Sequence, residues 1–386
     1  MMTEKLYYLD SHMAEFTARI ISCEETKKGF LVVLDKTAFF PEGGGQAPDT
    51  GFIAGLRVSD VQEKDGVIYH LCDSALSAGE DVPCRIDWEP RLRRMQSHSG
   101  EHIVSGLAHR LYGCENVGFH MGEDGMTIDF DRELGWDELM EVEKQANEAV
   151  RKNVPIRAWL PEEEELRSLD YRSKLELTEN VRIVDIEGYD LCACCAPHVN
   201  CSGEIGLVKI LDSQRHRGGV RITLICGEQA YEDYRAKQQS VTEISQLLSA
   251  KRDEVVPAVQ RILRENLAAK EKADRLSMAM VGMMAEAAVS TEGSICVFDS
   301  ILDDIAQREL CNLLMEKCGG LACVFCGSDD EGWRYIIGSR HIDLRKNTKA
   351  INAAIEGRGG GKEMMIQGRA AGKKENIEEN IKSLSL

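Results

Sequence analysis

His98 and His102 stand four residues apart in a stretch whose apolar residues, Leu92, Met95, Ile103, Leu107 and Leu111, recur at helical spacing between Pro90 and Gly113. On a helix that spacing separates two side chains by about 40° around the axis, so both imidazoles can point at one ion. Later in the chain, Cys194-Cys195-Ala196-Pro197-His198 places a thiol and an imidazole in one Pro-bearing turn. Together His98, His102, Cys194 and His198 offer a thiolate and three imidazoles, a set suited to tetrahedral zinc and not to a metal that wants oxygen alone. Cys192 is a rival ligand, because it is within reach of a Cys-x-Cys chelate with Cys194. The simplest expectation makes Cys192, Cys195 and Cys201 small buried hydrophobes.

A second group with chemical potential is Asp35-Lys36-Thr37-Ala38-Phe39-Phe40-Pro41-Glu42-Gly43-Gly44-Gly45-Gln46. Three glycines after a strand permit positive φ and let backbone approach a ligand closely. No Gly-Lys-Ser/Thr follows and the spacing is not that of a dinucleotide fingerprint, so this is not a phosphate loop of either kind. Gly43, Gly44 and Gly45 can present N–H groups to a developing negative charge, Gln46 can add an amide, and Thr37 a hydroxyl.

These groups need a scaffold, and the chain is long enough for two or three domains at 386 residues. Residues 1–88 read as short strands bounded by turn residues, which suits a small β-barrel or sandwich, the barrel being the expected form. Residues 89–227 alternate helix and strand: a helix from 90 to 112, another from 136 to 153, then strands near 181–184, 206–211 and 220–225. Residues 228–289 are rich in Glu, Lys, Gln, Arg, Leu and Ala and poor in glycine, as expected of two long helices parted near 253–257. A helical hairpin serving as an arm or a dimer interface is the natural reading. Residues 290–386 return to an α/β alternation that ends in a glycine-rich loop. The fold class is therefore α+β: barrel, zinc-containing core, helical hairpin and C-terminal α/β domain.

Lys plus Arg is 47 and Asp plus Glu is 65, a net charge of −18 that argues against indiscriminate binding to nucleic acid or anionic membrane. Any nucleic-acid partner must be met by a local patch. One exists between 335 and 374, where nine basic residues face three acidic ones, a local +6. No basic start followed by an apolar run and no long apolar stretch is evident, so a cytoplasmic protein without a membrane span is expected. The 14 cysteines, four of them crowded into 192–201, fit metal or reactive thiols in a reducing compartment better than a disulfide framework.

Phe39 to Gln46, followed by Asp49-Thr50-Gly51, resembles the glycine motif of alanyl-tRNA editing domains. His98-Ser99-Gly100-Glu101-His102 resembles their His-x3-His, and Cys194 to His198-Val199, then Ser202-Gly203-Glu204-Ile205-Gly206, their Cys-x3-His segment. The resemblance spans residues 1 to about 230. Gly357-Arg358-Gly359-Gly360-Gly361-Lys362 and Met365-Ile366-Gln367-Gly368 resemble the C-terminal domain shared by alanyl-tRNA synthetases and DHH phosphoesterases. The whole is similar to the long form of free-standing alanyl-tRNA editing proteins, with no adenylating part expected. Two departures stand out: Cys195-Ala196-Pro197 fills the middle of a segment that commonly reads Cys-Gly-Gly-Thr-His, and the resemblance gives Glu101 no fixed role.

The resemblance implies hydrolysis of the aminoacyl ester of mischarged tRNA for alanine, with seryl as substrate and glycyl as the second candidate, at a zinc site of His98, His102, Cys194 and His198. Thr37, Gln46 and the three glycines would face the substrate. Arg345, Lys346, Arg358, Lys362 and Arg369 would contact tRNA, and a homodimer through the hairpin or C-terminal domain is left open. Two rivals remain. One is a non-enzymatic tRNA-binding protein, since four protein ligands would close a zinc site. The other is a metallopeptidase, since His98 to His102 also spells His-x-x-Glu-His; it would need an acidic ligand and would have no use for Cys194 or His198.

Overall fold

Alternation of apolar and polar residues carries the first part of the chain into sheet. Strands β1 (Glu15–Thr26), β2 (Gly29–Leu34), β3 (Gly51–Ile53), β4 (Leu56–Lys64), β5 (Val67–Cys72) and β6 (Asp81–Ile86) close into a barrel in the order β1-β2-β5-β4-β3-β6. Strand β6 shows the pattern plainly: Val82, Cys84 and Ile86 point inward while Asp81, Pro83 and Arg85 face out. Ile20, Val32, Leu34, Phe39, Ile53, Val61 and Ile68 fill the interior. His70 joins them with its Nδ1–H donating to the Val32 carbonyl at 3.0 Å, and burial pushes its pKa down to about 4.

The computed structural model describes residues 2–122, 125–173 and 181–384, and the chain divides into two units, 1–242 and 243–386. In the first unit, α1 (Trp88–Tyr112) follows the barrel and ends on Gly113 in the left-handed conformation. Every residue from Ser97 to Ala108 is buried, so α1 is a central helix and not a surface one with a single apolar stripe. Around it stand β7 (Asn116–Gly122), β8 (Gly125–Phe130), α2 (Trp136–Lys152), β9 (Ile156–Trp159), β10 (Ile183–Ile186), β11 (Asp190–Ala193), β12 (Val208–His216) and β13 (Gly219–Cys226). They form two antiparallel sheets, β12-β13-β8-β7 and β9-β10-β11. Gly100 lets α1 approach β13, because a Cβ there would run into the Cys226 sulfur. The helix α3 (Glu228–Leu247) comes next.

The second unit begins its long helix α4 at Val255–Ala287, then builds a five-stranded sheet from β14 (Ile295–Asp299), α5 (Asp304–Met315), β15 (Ala322–Ser328), β16 (Gly332–Gly338), α6 (Leu344–Ala354), β17 (Gly357–Gly361), β18 (Met365–Ala370) and α7 (Lys374–Ser383). The strand order is β14-β15-β16-β18-β17, and apolar layers cover both faces. The expected glycine-rich loop is corrected here: Gly357–Gly361 is an edge strand antiparallel to β18. It reads as a loop in sequence because it lacks apolar side chains, yet the lack is what fits, since a Cβ on Gly359 would strike the Tyr335 hydroxyl. Among the described residues, no helix is long and apolar enough to cross a membrane.

One contact fastens the barrel to α1. Arg91 Nη1 donates to a carboxylate oxygen of Asp49 and to the Ala38 carbonyl at 3.2 Å. Asp49 also accepts the Phe40 N–H at 2.7 Å. Neither side chain of the pair is more than 1% exposed. Removing one member of a buried pair strands the other charge, so Asp49→Ala is expected to destabilise the first unit by about 3–5 kcal/mol. Chemical denaturation of the full chain checks this; a wild-type midpoint would show that the pair carries no such weight.

Candidate metal centre

The helical spacing of His98 and His102 does bring both imidazoles to one place, and the segment after β11 brings Cys194 and His198 to meet them. One donor atom from each of the four lies within 4.8 Å of every other. Cys194 Sγ is 3.5 Å from His98 Nε2 and 3.4 Å from His198 Nε2. A tetrahedral ion bound by nitrogen near 2.05 Å and sulfur near 2.3 Å requires N···S edges of about 3.5 Å. The donor set therefore fits a metal ion in both chemistry and spacing.

Outside the cluster each histidine meets an oxygen at Nδ1: Gln46 Oε1 for His98 at 3.2 Å, Asp190 Oδ2 for His102 at 2.8 Å and Ser99 Oγ for His198 at 3.0 Å. All three oxygens can accept, which puts the proton on Nδ1 and turns the Nε2 lone pair inward, as a metal requires. Asp190 is itself held by Arg172 at 2.7 and 2.9 Å. Burial alone would raise the Asp190 pKa, but hydrogen bonds from His102 and Arg172 bring it below the ordinary carboxylate range.

The charge states follow. Burial would raise the Cys194 pKa, yet the surrounding imidazoles of His98, His198 and His102 hold it well below the usual thiol range, the direction that favours a thiolate. Burial pushes His198 down to about 3 and keeps it neutral. His102 goes the other way: burial opposes its charge, but Asp190 and Cys194 raise it well above the ordinary imidazole value. A metal entering the cluster would displace that proton.

The glycine segment docks on this cluster as a tight turn. Gly43 and Gln46 exchange backbone hydrogen bonds at 3.2 and 3.0 Å, and the two residues between them have φ of 60° and 79°, as a type I′ turn demands. Gln46 is fully buried and its Nε2 has no partner among the described residues. Phe119, on β7, packs its ring 5.1 Å from that of His98.

Thr37 is not brought to the cluster by any hydrogen bond. Its hydroxyl lies 2.9 Å from His70 Nε2 and accepts the Phe39 N–H at 3.2 Å. Because His70 Nδ1 donates to Val32, His70 Nε2 accepts, and the single proton of the Thr37 hydroxyl is spent on it. Glu101 is buried, with Oε1 receiving Ser105 Oγ at 2.7 Å and also Asn116 Nδ2, while Oε2 stands 3.8 Å from His102 Nε2. Of the three cysteines expected to be buried hydrophobes, Cys192 is buried, but Cys195 is exposed and Cys201 partly so. The Cys195 side chain lies beside Gly44, where no side chain covers it from the turn.

The expected tRNA contacts lie in the second unit. Arg345 and Lys346 start α6, within 3.8 Å of Glu363 and 3.2 Å of Asp343 respectively. Arg358 and Arg369 stand directly opposite each other on β17 and β18, and Lys362 follows β17. Asp190, Arg172 and Ser99 support the cluster through hydrogen bonds that sequence reasoning missed. Only Ser99 carried a local signal, inside the His-x3-His stretch.

Two family models match the chain: "tRNA synthetases class II (A)" over residues 4–90, and "Threonyl and Alanyl tRNA synthetase second additional domain" over 181–223. The first includes the glycine turn and the second Cys194 and His198. The alanine–tRNA ligase of Ignicoccus hospitalis is 30% identical over 374 residues, which is 93% of this chain and 40% of the ligase. That of Methanopyrus kandleri is 29% identical over 388 residues, 95% of this chain and 42% of the ligase. The chain thus spans about two-fifths of the length of these ligases. The alanyl-tRNA editing protein AlaX-L of Pyrococcus horikoshii is 27% identical over 398 residues, covering 97% of this chain and 96% of its own.

Elemental analysis is expected to find about one metal ion per chain, lost in His98→Ala and in Cys194→Ala. Asp190→Asn, which changes only the support of His102, should weaken metal affinity by about 10–100-fold. Acid should release the metal, because protons compete for His102 Nε2 and Cys194 Sγ. Unchanged metal content in both ligand variants would remove these residues from the site.

Proposed function

This chain belongs to the alanyl-tRNA editing family, and on that premise we propose that it hydrolyses the aminoacyl ester of seryl-tRNA, and of glycyl-tRNA, misformed on tRNA for alanine. The observation that carries this is the docking of the glycine turn on the metal cluster through Gln46 and His98. A structural metal site needs no such turn. AlaX-L is named as an editing protein, and it matches this chain along nearly its whole length.

Zinc suits the thiolate and three imidazoles, and when bound would supply Lewis acidity next to the ester or its attacking water. The protein groups do the rest. Gln46 Oε1 steadies His98, and we assign its unpartnered Nε2 to the substrate as a donor. Because the Gly43 N–H is taken by the turn itself, we assign to Gly44 and Gly45 the donation of N–H groups to the ester oxygen as charge develops on it. Thr37 has spent its proton on His70, so towards a serine side chain it acts as an acceptor. Alanine lacks the hydroxyl that could donate, and a site built on such a bond can reject the analogue by up to about 10⁴-fold. Arg345, Lys346, Arg358, Lys362 and Arg369 are assigned to tRNA phosphates, a role their exposure and the local positive charge support.

A single assay tests the reading: deacylation of Ser-, Gly- and Ala-tRNA with and without chelator. Serine release that chelation abolishes and zinc restores is the expected result. Metal-loaded protein that binds tRNA but releases no serine would instead support the closed, structural site that four protein ligands suggest. Thr37→Val is expected to lower Ser-tRNA hydrolysis and the ratio of serine to alanine release, and an unaltered ratio would leave Thr37 with His70 alone.

A further inference from the structure

A groove of about 640 Å³ opens beside the metal cluster. Pro90, Arg93, Arg94 and Ser97 line it from successive turns of one face of α1, joined by Ala47 and Met121. Its lining adjoins the site at three points. Ala47 follows Gln46, Ser97 precedes His98, and the Met121 N–H donates to the Gly45 carbonyl at 3.3 Å.

The charges along it are arranged for one anion. Asp49 faces two guanidinium groups, the buried Arg91 and, at 3.4 Å, Arg94, so these three side chains carry one surplus positive charge. Arg93 is paired with Glu232 at 3.2 Å, but both side chains are about half exposed. Such surface pairs are worth roughly 0–1 kcal/mol and exchange readily for a stronger anion. Glu89 also lines the groove, which speaks against a run of several phosphates there. Arg94 stands one helical turn before His98, a rise of about 6 Å along the axis. The span from a nucleotide's 5′-phosphate to its own ribose hydroxyls is of the same order.

We infer that this groove seats the 3′-terminal nucleotide of the RNA. Its 5′-phosphate lies between Arg93 and Arg94, its base rests on the apolar surface of Pro90 and Met121, and its ribose ester is directed at Gln46 and His98. The inference rests on the proposed hydrolysis and adds to it a substrate seat in the first unit. It makes Arg93 a substrate contact. Loss of one phosphate contact should weaken binding and reduce its salt dependence by about one counterion.

The test compares two substrates with the full-length, metal-loaded protein: seryl-tRNA, and 3′-O-seryladenosine, which keeps the ester and base but has no phosphate. In Arg93→Ala, the ratio of kcat/KM for seryl-tRNA to that for seryladenosine is expected to fall about tenfold or more, chiefly through KM. Arg93→Lys should restore most of it, because a point charge suffices for a phosphate. Arg94→Gln provides a second variant, with thermal unfolding measured for each. A wild-type ratio in both Arg93→Ala and Arg94→Gln, or an equal loss on both substrates, would overturn the seat while leaving the hydrolysis standing. Hydrolysis of neither substrate by the wild type would overturn the functional reading, and the seat with it.

Discussion

The buried pair of Asp49 and Arg91 sets the geometry on which the centre depends. Asp49 lies three residues after Gln46, and Arg91 lies seven before His98. A charge taken out of water tolerates little displacement from its partner, because the interaction that offsets its desolvation is steep in the low-dielectric interior. The Phe40 N–H and the Ala38 carbonyl add a hydrogen bond to each member of the pair on the barrel side. The end of the glycine turn and the helix bearing two histidines are thereby held in one register. Apolar packing between the same elements would stabilise them without fixing which residue meets which.

Once that register is set, the imidazoles are oriented from behind. Asp190, Gln46 and Ser99 differ in charge and basicity, but each offers an oxygen to Nδ1 and so selects the tautomer that presents Nε2 to the cluster. Only His102 has a carboxylate behind its Nδ1, and that carboxylate raises its basicity. The Arg172 guanidinium in turn keeps that carboxylate ionised. The electrostatics of the centre thus reach back through Asp190 to a residue with no direct place at the metal.

The parts of this arrangement legible in the sequence were those with short-range spacing. His98 and His102 share a helical turn, Cys194 and His198 share a bend, and Gly44 and Gly45 advertise the positive φ that their turn requires. Ser99, Asp190 and Arg172 act on partners that the fold supplies: Asp190 meets a histidine 88 residues before it, and no local pattern encodes that distance. Thr37 shows the same limit, since its consumed proton belongs to a bond with His70, 33 residues on. The glycine run at 357–361 misleads for a different reason. Strands are recognised by side chains that pack, and this one is specified by the absence of a side chain over Tyr335. The barrel strands and the long α1 were visible because their periodicity is imposed on many consecutive residues.

The separation of the two halves of the centre also orders events in time. His98 and His102 leave the ribosome on a helix that can form early, while Cys194 and His198 follow 96 residues later. At about 5–20 residues per second, the nascent chain exposes a two-imidazole half-site for roughly 5–20 s before the thiolate arrives. During that interval the histidines can take any divalent ion that favours nitrogen, with copper ahead of zinc in intrinsic affinity. Cys194 and His198 are thus the last donors to arrive, so which ion such a cluster would take depends on synthesis rate and cellular metal supply as well as on the finished geometry.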